Sequence, residues 1–162
     1  VGARCLRLAR PVEALPKGVV PVASIACAAR FLSENPGRVL LTTGSKELAP
    51  YTHGADFAER FFVRVLPLPG AITKCIDAGF SPSHVIGMQG PFTRELNEAM
   101  LRQVGARWLV TKDSGTVGGT AEKLAAARAV GARCIVVTRP AEGGGALSLR
   151  EVEDALLREF AR

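Results

Sequence analysis

The residues able to do chemistry sit in a few short segments, each following an apolar run. Thr43-Gly44-Ser45-Lys46 comes at the end of RVLLTT, Gly90-Pro91-Phe92 after HVIGMQ, and Arg139-Pro140 after CIVVT. Lys112-Asp113-Ser114-Gly115 closes the run WLVTK, with Gly118-Gly119 just beyond. Thr43-Gly44-Ser45 reads as a strand leading into a helix start. Backbone N–H groups and the helix dipole at such a place favour an anion, and Lys46 adds a full charge. The chemistry there would be a phosphate cradle, although Ser45 simply capping a tight turn accounts for the same residues. Neither the GxxxxGK[ST] nor the GxGxxG spacing occurs. The standard phosphate-loop and dinucleotide fingerprints are therefore excluded.

Lys112 beside Asp113 could supply a proton or orient a substrate amide or carboxylate. A surface ion pair is the plainer alternative. Gly118 and Gly119 would let a ligand approach the backbone closely. Glu122-Lys123 reads as a solvated helix face. The cysteines, Cys5, Cys27, Cys75 and Cys134, lack CxxC or any metal-type spacing and read as reduced core thiols, with no metal site.

Elements able to position these segments follow from the apolar pattern. Strand-type runs cover Arg38 to Thr43, Phe61 to Leu66, Ser83 to Gln89, Arg107 to Lys112 and Arg133 to Arg139. Helical stretches lie near 70–79, 92–104 and 119–130. Ser24 can cap a helix running to about Glu34, and Ser148 with Glu151 forms a capping box for a last helix. Strands alternating with helices of this length imply an α/β fold, with a parallel sheet covered by helices on both faces. Such sheets bind ligands at the carboxyl ends of their strands, where the unusual residues cluster.

Residues Val1 to Pro11 read VGARCLRLARP and Val130 to Pro140 read VGARCIVVTRP; the quartet recurs at Val104 to Arg107. Each copy reads as a helix end, with Gly as the left-handed cap, then a buried strand. The chain thus reads as starting at the last turn of a helix, with Cys5 to Arg10 as a strand and Val12 to Ala23 as a proline-rich connection. Such an orphan strand would invite a homodimer or strand exchange through the N-terminus.

The chain has 162 residues, 48% apolar and 22% charged, near the average for a soluble globular protein. No apolar run approaches the ~18 residues of a membrane span, and no signal segment opens the chain, so a cytoplasmic protein is expected. The net charge is +6, but the basic residues are scattered and aromatics are only 6%, which argues against nucleic acid.

The strings LLTTGSKEL (Leu40 to Leu48), MQGPFTRELN (Met88 to Asn97), LVTKDSGTVGGTAEKLAAAR (Leu109 to Arg128) and IVVTRP (Ile135 to Pro140) resemble the precorrin-6A reductase family, in its order and spacing. The resemblance implies a pair of Rossmann-like domains with cofactor and substrate between them. Residues 1–22 would be the remnant strand and linker of a truncated N-terminal domain, and 23–162 a C-terminal Rossmann-like domain. The family's glycine-rich first loop and Asp-Ala-Thr-His-Pro-Phe-Ala type motif are absent from this sequence, in keeping with a truncated start.

The resemblance also implies NADPH-dependent reduction of one double bond of precorrin-6A, or its cobalt analogue, to precorrin-6B in cobalamin biosynthesis. On that reading Lys112 and Asp113 are the catalytic candidates. Thr43, Gly44, Ser45, Lys46, Gly90 and Arg139 would hold the cofactor. Ser114, Gly115, Gly118, Gly119 and Phe92 would hold the substrate, whose carboxylates suit a basic cleft. Competing readings are a non-catalytic α/β module gripping a nucleotide or tetrapyrrole, and a uroporphyrinogen-III synthase-like enzyme that uses no cofactor.

Overall fold

The computed structural model describes residues 15–113, 119–138 and 147–160. Residues 15–138 belong to one compact unit. Its strands are β1 (Val20–Val22), β2 (Arg38–Leu41), β3 (Phe61–Val65), β4 (Val85–Gly87), β5 (Ala106–Lys112) and β6 (Arg133–Val137). Its α-helices are α1 (Ile25–Glu34), α2 (Phe57–Arg60), α3 (Pro69–Asp77), α4 (Arg94–Val104) and α5 (Thr120–Val130). The strands form one six-stranded sheet in the order β1-β6-β5-β2-β3-β4, and all the pairs are parallel.

The α/β expectation therefore holds, and the reason is visible strand by strand. Val39 and Leu41 of β2 join Trp108 and Val110 of β5 in a core against α1, while Leu40 and Leu109 point to the other face, against Met100 and Leu101 of α4 and Ala126 and Ala127 of α5. A strand buried on both faces has no polar alternate position, hence the continuous apolar runs. Helix boundaries follow local chemistry. Ser24 Oγ accepts from the Cys27 N–H at 3.1 Å at the start of α1, and Thr93 Oγ1 accepts from Leu96 N–H at 3.3 Å at the start of α4. Gly105 and Gly131 end α4 and α5 with φ of 62° and 75°, as the recurring quartet implied.

The N-terminal reading needs correction. Val20–Val22, taken from the sequence as part of a connection, is the edge strand β1, paired with Ile135 to Val137 of β6. Pro21 sits in it without disrupting the ladder because an edge strand needs only one hydrogen-bonded side. The expected strand Cys5 to Arg10, and with it strand exchange through the N-terminus, lies outside the described residues. In the second compact unit, α6 (Leu149–Phe160) begins at the expected capping box: Glu151 Oε2 accepts from the Ser148 N–H at 2.7 Å, and Ser148 Oγ accepts from the Glu151 N–H at 3.3 Å. Among the described residues no helix is long and apolar enough to cross a membrane.

The turn from α1 into β2 is held by side chains from elsewhere. Arg60 donates to the carbonyls of Leu32, Asn35 and Gly37 at 3.1, 2.9 and 3.0 Å, and Trp108 Nε1 donates to Pro36 O at 3.2 Å. Gly37 has a φ of +118°, and a β-carbon there would lie 2.7 Å from Arg107 Cδ and 2.8 Å from its Cβ. Gly37→Ala is accordingly expected to destabilise the protein by about 1–3 kcal/mol through backbone strain. Urea unfolding of the two proteins should show a lower midpoint at unchanged slope.

Candidate functional site

Chain order runs outward from β2 through β3 to β4, then returns so that β5 lies on the opposite flank of β2. Connections leaving β2 and β5 thus diverge to opposite faces and open a crevice at the carboxyl edge. Hydrogen bonds beyond the strands fix that edge. Thr42 N–H donates to Val110 O at 2.8 Å, Met88 N–H to Val65 O at 2.9 Å, and Asp113 N–H to Val137 O at 2.9 Å.

Beside this crevice lies a cavity of about 550 Å³, lined by Thr42 and Gly44 after β2, Arg64 to Leu66 at the end of β3, Met88 and Gly90 to Phe92 after β4, and Gly119, Glu122 and Lys123 at the start of α5. Gly44, Gly90, Phe92 and Gly119 are among the residues singled out from sequence, and they arrive here from three separate loops. The backbone at Gly44 and Gly119 takes φ of 81° and 62°, a region that favours glycine.

The other sequence candidates fall elsewhere. Thr43 Oγ1 is buried beside Tyr51, and neither hydroxyl makes a hydrogen bond among the described residues. Burial first, and then the charge of Glu47, hold the Tyr51 phenol well above its ordinary value. Ser45 and Lys46 are outside the cavity lining, and Lys46 is exposed. Lys112 Nζ meets Glu47 Oε2 at 2.9 Å, both side chains about half exposed, and neither Lys112 nor Asp113 is in the lining. Ser114, Gly115, Gly118 and Arg139 lie outside the described residues.

The helix start expected at Thr43-Gly44-Ser45 is not there. After β2 the chain makes a loop, a short 3-10 turn at Ala49–Tyr51 and then the four-residue α2. Pro50 and Gly54 in this stretch break any longer helix, so no helix dipole is aimed at Gly44, and a cradle there would rest on the loop's own N–H groups and on Lys46.

The expected solvated face at Glu122-Lys123 is also corrected: Glu122 is exposed, but Lys123 is only 8% exposed. α5 is rich in alanine, so its apolar periodicity gives no warning of which side faces inward. Arg64, which sequence reading passed over, is 5% exposed. Its Nη1 donates to Asn97 Oδ1 at 2.8 Å, and its guanidinium lies 3.7 Å from the centre of the Phe92 ring. Burial lowers the Arg64 guanidinium to about 10. Burial, then the neighbouring Arg64 charge, lower the Lys123 ammonium to about 8, with Glu122 acting in the opposite sense. A signal for Arg64 was present: a lone charge in the middle of FFVRV, a strand otherwise apolar.

A family model described as precorrin-6x reductase CbiJ/CobK matches residues 1–158. A cobalt-precorrin-6A reductase of Methanothermobacter thermautotrophicus is 40% identical over 138 residues, covering 83% of this chain and 45% of the relative. A cobalt-precorrin-6A reductase of Priestia megaterium is 36% identical over 138 residues, covering 82% of this chain and 53% of the relative. The chain thus spans about half the length of these curated relatives. A solved structure named CobK precorrin-6A reductase matches with a TM-score of 0.68 at 24% identity, covering 95% of this chain and 61% of the other, and agrees with the fold.

Asn97 is 2% exposed; its Nδ2 donates to Thr93 O at 2.8 Å while its Oδ1 holds Arg64. Removing a buried partner of a charge leaves that charge unsatisfied, so Asn97→Ala is expected to cost about 2 kcal/mol or more. Glu98→Ala, which removes ion pairs to the exposed Arg94 and Arg102, should cost under about 1 kcal/mol. Urea midpoints for the two variants check this ranking.

Proposed function

The chain belongs to the precorrin-6x reductase family, and on that footing we propose that its protein reduces one double bond of precorrin-6A, or the cobalt-containing analogue, to precorrin-6B with NADPH. The observation that carries the reading is the cavity at the carboxyl edge of the sheet, where Gly44 leaves the wall open to close approach and Arg64 and Lys123 outnumber the Glu122 carboxylate in the lining. A diphosphate cofactor and a polycarboxylate macrocycle both match such a lining.

NADPH, when bound, supplies the hydride. The tasks left to side chains are to bind, to orient and to exchange a proton. Gly44 and Gly90, with Thr43, Ser45, Lys46 and Arg139, are the proposed cofactor contacts. Phe92 and Gly119, with Ser114, Gly115 and Gly118, are the proposed substrate contacts. Lys112 ends β5 and Asp113 follows it, and the strand's residues Trp108 to Val110 are fully buried and paired, so its end is a firm base for oriented side chains.

Reduction of the macrocycle by the full-length protein, followed by loss of NADPH absorbance, tests the activity; ligand binding without turnover would return the chain to the non-catalytic reading. Within that assay, Asp113→Ala should lower turnover at least about tenfold, about 1.4 kcal/mol of transition-state stabilisation. The unfolding temperature should stay within a few degrees, because the backbone bond from Asp113 N–H to Val137 O survives the substitution. Retained turnover with collapsed stability would make this segment a structural turn. Lys46→Ala should weaken NADPH more than NADH if Lys46 meets the extra phosphate; equal NADPH affinity in variant and parent removes it from the site.

A further inference from the structure

Arg64, the penultimate residue of β3, is 5% exposed and lines the cavity at the carboxyl edge. We propose that it binds one oxyanion of the ligand, a carboxylate or a phosphate, through the Nε–Nη2 edge of its guanidinium. The inference deepens the reductase reading and rests on it for the identity of the ligand.

A guanidinium has two edges able to form paired hydrogen bonds, Nη1 with Nη2 and Nε with Nη2. In Arg64 the fold uses Nη1 alone. That atom donates to Asn97 Oδ1 at 2.8 Å and lies 3.7 Å from Met100 Sδ. Among the described residues Nε and Nη2 make no hydrogen bond, and no carboxylate pairs with the group. Arg60, one turn earlier in the chain, shows what a structural arginine does here: its Nε and Nη2 donate to the carbonyls of Gly37, Leu32 and Asn35, and its Nη1 to Asp56. The sealed side-chain polar atoms without a partner among the described residues are the Thr43 and Tyr51 hydroxyls. Nε and Nη2 of Arg64 are not among these, so the unused edge keeps some surface, and the cavity is what Arg64 borders.

The group is also held still. Asn97 Nδ2 donates to Thr93 O at 2.8 Å and to Phe92 O at 3.5 Å, which turns Oδ1 toward Arg64. The guanidinium carbon lies 3.7 Å from the centre of the Phe92 ring. Strand β3, helix α4 and the loop before that helix thus set one orientation. Asn97, Met100 and Phe92 are all neutral, so the charge stands uncancelled where solvent is scarce, an unfavourable state for the free protein. Burial lowers the guanidinium only to about 10, so it stays charged near neutral pH. A fixed, charged fork with one edge unused suits two-pronged recognition of a carboxylate or phosphate, and such a partner would fill both remaining donor positions.

The experiment is calorimetric titration of the full-length protein with NADP+ alone and with the octacarboxylate uroporphyrin alone. Arg64→Lys and Arg64→Gln should each bind one of these probes at least about tenfold more weakly, about 1.4 kcal/mol. Arg102→Gln, which removes an equal charge from an exposed position of α4, should bind as the parent does. In the parent, the Arg64 Nε–H resonance should shift on saturation with the same probe. Loss confined to NADP+ identifies a cofactor phosphate, and loss confined to uroporphyrin identifies a substrate carboxylate. Unchanged affinity for both probes in the Arg64 variants, no binding of either by the parent, or an equal loss in Arg102→Gln overturns the proposal. So does parental affinity in Arg64→Lys, because a point charge would then suffice. Should the Arg64 variants fail to fold, the parent's Nε–H resonance decides, and no shift with either probe overturns it. Because binding is read without turnover, failure of the reductase activity itself shows separately.

Discussion

β5 lies against β2 through the pairs Trp108 with Val39, Leu109 with Leu40 and Val110 with Leu41, although β3 and β4 intervene in the chain. Trp108 locks this pairing. It is wholly buried, its ring meets Phe31 edge-on at 5.2 Å, and its indole N–H reaches the carbonyl of Pro36 in the turn that delivers β2. The outward run of strands must therefore turn back at β2, and that reversal sets the connections on opposite faces and opens the carboxyl edge between them. Gly44 and Asp113 reach the same edge because their strands are neighbours, and α5 comes to the cavity because it must cross from β5 to β6.

On the face carrying α4 and α5 the same packing has a second effect. Leu40, Leu109 and Cys134 from the sheet meet Met100, Leu101, Ala126 and Ala127 from the helices. Burial pushes the Cys134 thiol up to about 12, as expected for a thiol that acts as core. Toward the carboxyl end this apolar layer gives way to Arg64, Asn97 and Lys123. Polar side chains are carried there by regular elements, and the loop residue Phe92 completes the setting of Arg64. That is the rigidity a binding site requires of its supporting shell.

The alternation of strands and helices was legible because each β-run is apolar throughout and each helix bears a local start or stop: Ser24, Ser148, Gly105, Gly131. What the sequence hid is governed by long-range placement. Val20–Val22 looked like a linker because of its prolines, and only β6 makes it a strand. Thr43-Gly44-Ser45 looked like a helix start because small residues serve many turns equally well. Lys123 looked solvated because an alanine-rich helix has no marked apolar stripe, and α5 is covered by α4, more than fifteen residues away in sequence. Four loop residues marked from sequence, Gly44, Gly90, Phe92 and Gly119, do converge on one cavity. The charges there belong to regular elements, where sequence reading expects packing alone.

The net charge of +6 takes on another meaning once the arginines are located. Arg60 is committed to main-chain carbonyls; Arg133 lies 4.7 Å over Trp108 and Arg38 5.8 Å over Phe62. Part of the basicity of the described residues thus serves contacts within the fold. Dissolved ions damp exposed charges beyond about 10 Å at 0.1 M ionic strength, but they reach a buried pair such as Arg64 and Lys123 far less. Attraction of an anion to such a buried pair would be short in range and tolerant of salt, the opposite of a polyelectrolyte binder, whose affinity collapses as counterions accumulate.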